Sequence, residues 1–343
     1  MRVELPLGEA LANGYQFYGF PLAILALAEE TSDWILTNYI DLAYDPTDAS
    51  AVRFCFYLFD YAQSPWLETV RVDRFWIAAS SRDIVDVCRD SMAAGYYPYL
   101  NINEFYVEGR KAHGKHDQSH DVLLCGFDDE ADTFTVYGYA DGRLGRTAID
   151  RSTFRASYQS LDHIPNTCYQ VLFYRAARGV RFAMDVAVVR DSIEGYLSAA
   201  NPSTRYASLS APMNRRYGTA CYEPLERYLD AYLAGREPYD TRDFHVLWEH
   251  KRLMGLRLSR LAQITGNETI AALAEDFRPL ERDALMLRDG MMRHEFARTA
   301  TSRYALSAPA RLTGIRDRES EILEKVLGEL HRVEAPPAVD LGW

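Results

Sequence analysis

The sequence has few lysines, no paired cysteine motif and no long apolar run, and each shortage excludes something. Only four of its 38 basic residues are lysine, and 49 acidic residues leave a formal charge of −11. A field of that sign repels a polyanion, so nucleic acid is not an expected partner. The five cysteines, Cys55, Cys88, Cys125, Cys168 and Cys221, are odd in number, widely spaced and without a CxxC pair. That pattern argues against a disulfide framework or a zinc knuckle. No stretch approaches the ~18 consecutive apolar residues of a membrane span, and residues 1–9 lack the basic and apolar parts of a secretory leader. A cytoplasmic location with no membrane partner is the expectation.

What is present is globular. Hydrophobic residues make up 48% of the chain and aromatics 13%, with 23 Tyr and 15 Phe. At 343 residues the chain exceeds the roughly 100–200 residues of one domain, so two lobes are expected.

The apolar period changes once along the chain. Up to about residue 178, helix and strand signals are mixed. "YGFPLAILALAEE" reads as a helix that is apolar all round, with Pro21 in its first turn. "AVRFCFYLFDY" and "DRFWIAA" are rich in β-branched and aromatic residues and read as extended. "SSRDIVDVCRDSMAAG" reads as a helix capped by Ser80 or Ser81 and ended by Gly95. "YYPYLNINEFYV" is extended, and "DVLLCGFDD" and "DTFTVYGY" form a hairpin across an acidic turn. One more strand step runs into a helix, and "CYQVLFYRA" is a last strand. From residue 179 to 335, apolar residues recur every three or four positions in five successive stretches, a helical lobe; residues 336–343 are a tail. The fold class is therefore α+β, with a helix-and-antiparallel-sheet lobe followed by an α-helical lobe.

His120 stands where the polar loop "EGRKAHGKHDQSH" meets the strand "DVLLCGFDD". A histidine opening a strand, then an apolar run, Gly, an acidic turn and a second strand, resembles the way papain-like enzymes present an imidazole. With "PYLNINEFYV" before it and "NRRYGTACYEPLERYLD" and "TRDFHVLWEHKRLM" after it, the chain resembles the butirosin biosynthesis protein H family of natural-product gene clusters over about residues 10 to 330.

The resemblance implies a papain-like first lobe and an acyltransferase-like activity in natural-product biosynthesis, such as that of antibiotics, on carrier-bound thioesters or amides of nonribosomal peptide or polyketide intermediates. It implies a nucleophilic Cys at the amino end of the first long helix and an acidic residue orienting His120. Here the helix start, "NGYQFYGFPLAIL", holds neither Cys nor Ser, and Tyr18 stands in the place. The orienting position falls at Gly138, with Asp141 displaced by three residues. His120 remains as general acid/base. Asn103 or Glu104 is expected to line the substrate cleft, Glu249 to lie at the cleft floor, and an acyl or peptidyl carrier protein to be a partner.

Tyr18, with Tyr15 close by, is the other catalytic candidate, because a phenol near a helix amino end can donate a proton or hold a carbonyl oxygen. Tyr15 and Tyr139 are further substrate-binding candidates. Strand alternation sets Asn101 and Asn103 on one face and Glu104 on the other. Cys125 lies five residues after His120, which prevents the two from pairing within that strand. His113, His116 and His120 share one loop, but Gly114 and the absence of helix-forming residues argue against a metal site there. His245 and Glu249, four apart on a long helix, share a face, and Glu249 with Lys251 or Arg252 is expected to form ion pairs between the lobes.

No cofactor is required by any of these readings. Three functions follow: an acyltransferase-like enzyme, a Cys-independent cyclase, isomerase or hydrolase using His120 and Tyr18, or a non-catalytic partner binding a carrier protein or peptide. The oligomeric expectation is a homodimer.

Overall fold

The computed structural model describes residues 1–47, 51–140, 143–164, 167–177, 179–180, 182–297 and 303–333. Asp141 and the tail 336–343 lie outside them. The architecture is α+β, and the chain divides into two compact units. The first comprises Met1–Glu29 and Asp60–Val180; the second comprises Glu30–Phe59 and Arg181–Trp343. Where the sequence suggested one boundary near residue 178, the chain crosses between units three times, because Glu30–Phe59 packs with the later helices. Among the described residues no helix is long and apolar enough to cross a membrane.

The first unit is built on an antiparallel sheet. Its strands are β1 (Arg2–Glu4), β4 (Leu67–Asp73), β5 (Tyr97–Asn103), β6 (Ser119–Asp128), β7 (Thr133–Ala140), β8 (Arg143–Asp150) and β9 (Gln170–Ala176). They run in the order β4-β9-β5-β6-β7-β8, with β1 also paired to β6. The β6–β7 hairpin forms where the acidic turn predicted it.

Helix α1 (Gln16–Leu25) covers one face, packing Phe20 against Tyr99 and Tyr137. It begins earlier than predicted, so Pro21 sits in its middle. Helices α4 (Ile84–Ala93) and α5 (Arg151–Gln159) cover the other face. There Cys88, Met92 and Phe154 join Leu100, Ile102, Val122, Leu124 and Val136 in a single apolar core.

Two local readings are corrected. The segment "DRFWIAA" contains the helix α3 (Arg74–Ala79), since the Asp73 carboxylate accepts from the amide of Phe75 and starts a helical turn. The cap of α4 is Asp83 rather than Ser80 or Ser81, its carboxylate accepting from the amide of Val85. Gly95 does end that region, with φ at +84°.

The second unit holds α2 (Ser32–Asn38), a small sheet of β2 (Leu42–Tyr44), β3 (Phe54–Phe56) and β10 (Arg216–Tyr217), and helices α6 (Val186–Leu197), α7 (Tyr222–Leu233), α8 (Thr241–Thr265), α9 (Glu268–Ala297) and α10 (Arg303–Leu330). Arg257 of α8 is fully buried and binds the carbonyls of Leu36 at 2.5 Å and Tyr39 at 2.7 Å. It thereby satisfies groups that the end of α2 leaves without helical partners.

Candidate functional site

The β5–β6 register sets Ile102 opposite His120 and Asn103 opposite Ser119. Beyond Asn103 the chain leaves the sheet in a 3-10 turn, Glu104–Tyr106. Asn103 makes that departure. Fully buried, it accepts from the amides of Phe105 and Gln118 and donates to Asp117 Oδ1 at 2.8 Å and Ser160 Oγ at 3.0 Å. One amide group thus ties both ends of the loop 104–118. Asn103 is a positioning residue, enclosed by protein.

The turn delivers Glu104 to His120. Glu104 Oε1 lies 2.9 Å from His120 Nδ1, and the carboxylate side chain is 6% exposed against 35% for the imidazole. The approach is close but bent, so its strength is that of an ion pair more than of a linear hydrogen bond. His120 Nε2 lies 3.9 Å from Asp121 Oδ1. Burial alone would lower the imidazole pKa; the contact with Glu104 and the charge of Asp121 outweigh it, against Arg110, and raise the value above 6.5.

Arg110 completes the cluster. It is 6% exposed, and its Nη1 donates to the carbonyl of Tyr139, while Nε and Nη2 meet no protein acceptor. Burial lowers its pKa, and the charges of Glu104 and Asp121 pull it back up. The room for it comes from Gly138, where a Cβ would lie 3.3 Å from Arg110 Nη1, Arg110 Nη2 and Gln16 Nε2. Where the resemblance implied an orienting acid on β7, a guanidinium from the loop 104–118 takes the space. The carboxylate beside the imidazole comes instead from Glu104.

The first helix meets this cluster only at its tip. Gln16, its first residue, donates from Nε2 to the carbonyl of Asp121 at 3.1 Å. His120 lies two residues from Val122 and opposite Ile102, both in the core under α4 and α5. The tip of α1 reaches the same strands, since Gln16 Nε2 also lies 3.3 Å from where a Cβ at Gly138 would stand. Asp121 is the residue on the α1 face, and its Oδ2 accepts from the hydroxyl of Tyr99 at 2.7 Å.

The tyrosine candidates are placed differently. Tyr18 is 0% exposed, its ring 5.2 Å from Phe17, 6.0 Å from Tyr15 and 6.1 Å from Tyr61. A phenol so enclosed fills the core. Tyr15, 7% exposed, belongs to the same aromatic cluster, stacked 5.2 Å from Phe17. Tyr139 contributes its carbonyl to Arg110.

Cysteine chemistry has little to work with. Cys55, Cys88, Cys125 and Cys221 are buried, and Cys168 is exposed. Burial pushes the Cys125 thiol up to about 11 and raises those of Cys88 and Cys221 further. Among the described residues no group of three or more His, Cys, Asp or Glu is arranged to hold a metal ion. His113 turns its Nδ1 to the carbonyl of Phe105 at 3.1 Å.

Glu249 belongs to the second unit, 1% exposed and 3.1 Å from His245 Nε2. Lys251, expected to pair between lobes, instead binds Glu319 within its own unit at 2.6 Å, because burial demands a counter-ion close by.

The missed residue is Arg110. Nothing in the linear pattern connects it to Gly138, although an empty Gly at the orienting position was the signal that some other group must fill it. No protein-family model and no curated protein matches this chain.

Proposed function

We propose that the chain is a Cys-independent acid–base catalyst of acyl transfer, in which His120, backed by Glu104, moves the proton. The observation carrying this reading is the 2.9 Å approach of a buried carboxylate to one nitrogen of a partly exposed imidazole. With Nδ1 facing the Glu104 carboxylate at 2.9 Å, Nε2 is the nitrogen we assign to accept a proton.

The step balances without an enzyme-bound acyl group. Nε2 takes the proton of an incoming amine or water as its lone pair bonds to the carbonyl carbon. The carbonyl re-forms, the bond to the leaving group breaks, and the same nitrogen returns the proton to the departing sulfur or nitrogen. Burial of four of the five thiols favours this direct route over a covalent cysteine intermediate. The natural-product setting, a carrier-bound substrate and the carrier protein as partner rest on the resemblance in motif order.

The test uses acyl N-acetylcysteamine thioesters as pantetheine mimics, with a panel of amines and water as acceptors. His120→Ala is expected to lose roughly a hundredfold or more of the rate above background. Alkylation of the exposed thiol is expected to leave the rate unchanged. Equal turnover in His120→Ala and wild type overturns the reading and leaves a binding role.

A further inference from the structure

A second site is built into the first unit, away from any residue used above for catalysis. A cavity of about 380 Å³ opens between α3, the start of α4 and the end of α5. Its volume falls within the range of small-molecule pockets, roughly 300–1,000 Å³. Its floor is Ile77 and Ile84, and its rim carries Phe75 and Tyr169, which are 65% and 51% exposed.

Two polar side chains line this cavity with capacity unused. Arg74 is 8% exposed, its guanidinium 4.5 Å over the ring of Tyr158. Its Nη2 donates to the carbonyl of Tyr158 at 3.0 Å and pairs with Asp162 at 2.9 Å, but Nε and Nη1 meet no protein acceptor. The hydroxyl of Tyr158, a residue 7% exposed, lies near Arg74 but makes no well-formed hydrogen bond, and its own proton meets no acceptor. Burial raises the Tyr158 pKa, so near neutrality this group is a donor. Burying a donor without an acceptor is costly, so three together mark a place made for something that accepts.

The carboxylates nearby do not supply that acceptor. Asp73 caps α3 through Phe75, and Asp83 caps α4 through Val85 and binds Arg155 at 2.6 Å. Arg82 reaches out to Asp90 at 2.5 Å. Asp162 is the counter-ion of Arg74, yet it is 67% exposed. An ion pair that open is weak, and its carboxylate returns to water at little cost.

We propose that this cavity binds a small carboxylic acid with an apolar or aromatic body. The carboxylate takes the donors of Arg74 and the hydroxyl of Tyr158 in place of Asp162, and the body lies on Ile77 and Ile84 under Phe75 and Tyr169. Acceptor oxygens answer the three donors, and the apolar body answers the floor and rim. The buried groups at the base, Arg74 and the hydroxyl of Tyr158, offer donors.

The test is calorimetric titration of the full chain with 3-phenylpropionate, using phenethylammonium as the cationic control. Wild type is expected to bind 3-phenylpropionate at millimolar concentration or below and to ignore phenethylammonium. Asp162→Asn removes the competing carboxylate and is expected to tighten binding about two- to fivefold. Arg74→Met is expected to abolish binding and Tyr158→Phe to weaken it severalfold. No binding by wild type at ten millimolar overturns the proposal (the ~10 mM limit corresponds to about −2.7 kcal/mol), as does binding that survives in Arg74→Met. Should Arg74→Met fail to fold by circular dichroism, the other two variants decide. Affinity unchanged in both Asp162→Asn and Tyr158→Phe overturns it equally.

Discussion

Arg110 occupies the space that Gly138 leaves open. A Cβ at position 138 would stand 3.3 Å from both terminal guanidinium nitrogens, tighter than ordinary side-chain contact allows. Arg110 cannot easily retreat, since its Nη1 is held by the carbonyl of Tyr139. Gly138→Ala is therefore expected to destabilise the protein by about 1–3 kcal/mol, the usual range for overpacking a filled interior. Urea unfolding measures this, and an unchanged midpoint would show that the guanidinium moves freely.

The pair of Glu104 and His120 predicts a titration. Burial pulls the imidazole pKa down, and Glu104 together with Asp121 more than restores it, so Glu104→Gln should lower the His120 value. NMR of the histidine ring protons reads this directly, and a value unmoved in the variant would discount Glu104 as the cause. On the proposed acid–base reading, the rate needs neutral imidazole and should rise with pH through the raised value in wild type. In Glu104→Gln that rise should begin at lower pH.

Stability follows with the opposite sense. The folded pKa of His120 lies above its ordinary 6.5, so the pairing stabilises the fold fully below pH 6.5. That contribution fades as pH rises through the folded value. Unfolding measured across this window should show the wild type losing its advantage over Glu104→Gln as the solution becomes alkaline.

In the second unit, Lys251, Glu319, His250, Tyr196 and Tyr222 form one buried network. Lys251 Nζ donates to Glu319 Oε1 at 2.6 Å and to His250 Nδ1 at 2.9 Å, while the hydroxyls of Tyr196 and Tyr222 reach Glu319 Oε2 at 3.0 and 2.7 Å. Glu319→Ala leaves an ammonium buried without a counter-ion and should cost about 3–5 kcal/mol. Lys251→Met combined with Glu319→Leu should cost clearly less than the sum of the single changes. Additive losses in a double-mutant cycle would deny the coupling.

Thiol accessibility gives a simple count. Cys168 is exposed and the other four cysteines are buried. Brief treatment of the native protein with iodoacetamide should add one label, placed at Cys168 by peptide mass spectrometry. Labelling at Cys125 without unfolding would contradict the burial that sets its thiol near 11.

The period of apolar residues was enough to read the hairpin of β6 and β7, the long helices and the change of character after residue 178. Those signals are local, and burial on one face writes them directly into the sequence. The sequence pattern continues the strand through position 104, which sets that side chain away from Asn103. The reason it does not continue is the Asn103 side chain, whose bonds to Phe105, Gln118, Asp117 and Ser160 draw on residues up to 57 positions away. Arg110 carries no such local signal for the same reason, because only the folded loop sets it against Gly138. His120 was legible as a candidate, but its face of the sheet depends on register, which no single strand reveals.

Because α2, β2 and β3 complete the second unit while the residues on both sides of them belong to the first, the chain cannot be cut cleanly at 178. A fragment ending there would carry Trp34, Ile35, Leu36, Tyr39 and Phe56, all buried in the whole protein, with no helices to cover them. During synthesis the same segment must wait for Arg257, more than two hundred residues downstream, before the end of α2 finds its donor. Any attempt to isolate the His120 unit should therefore excise Glu30–Phe59 and bridge the gap with a flexible linker, instead of simply truncating the chain.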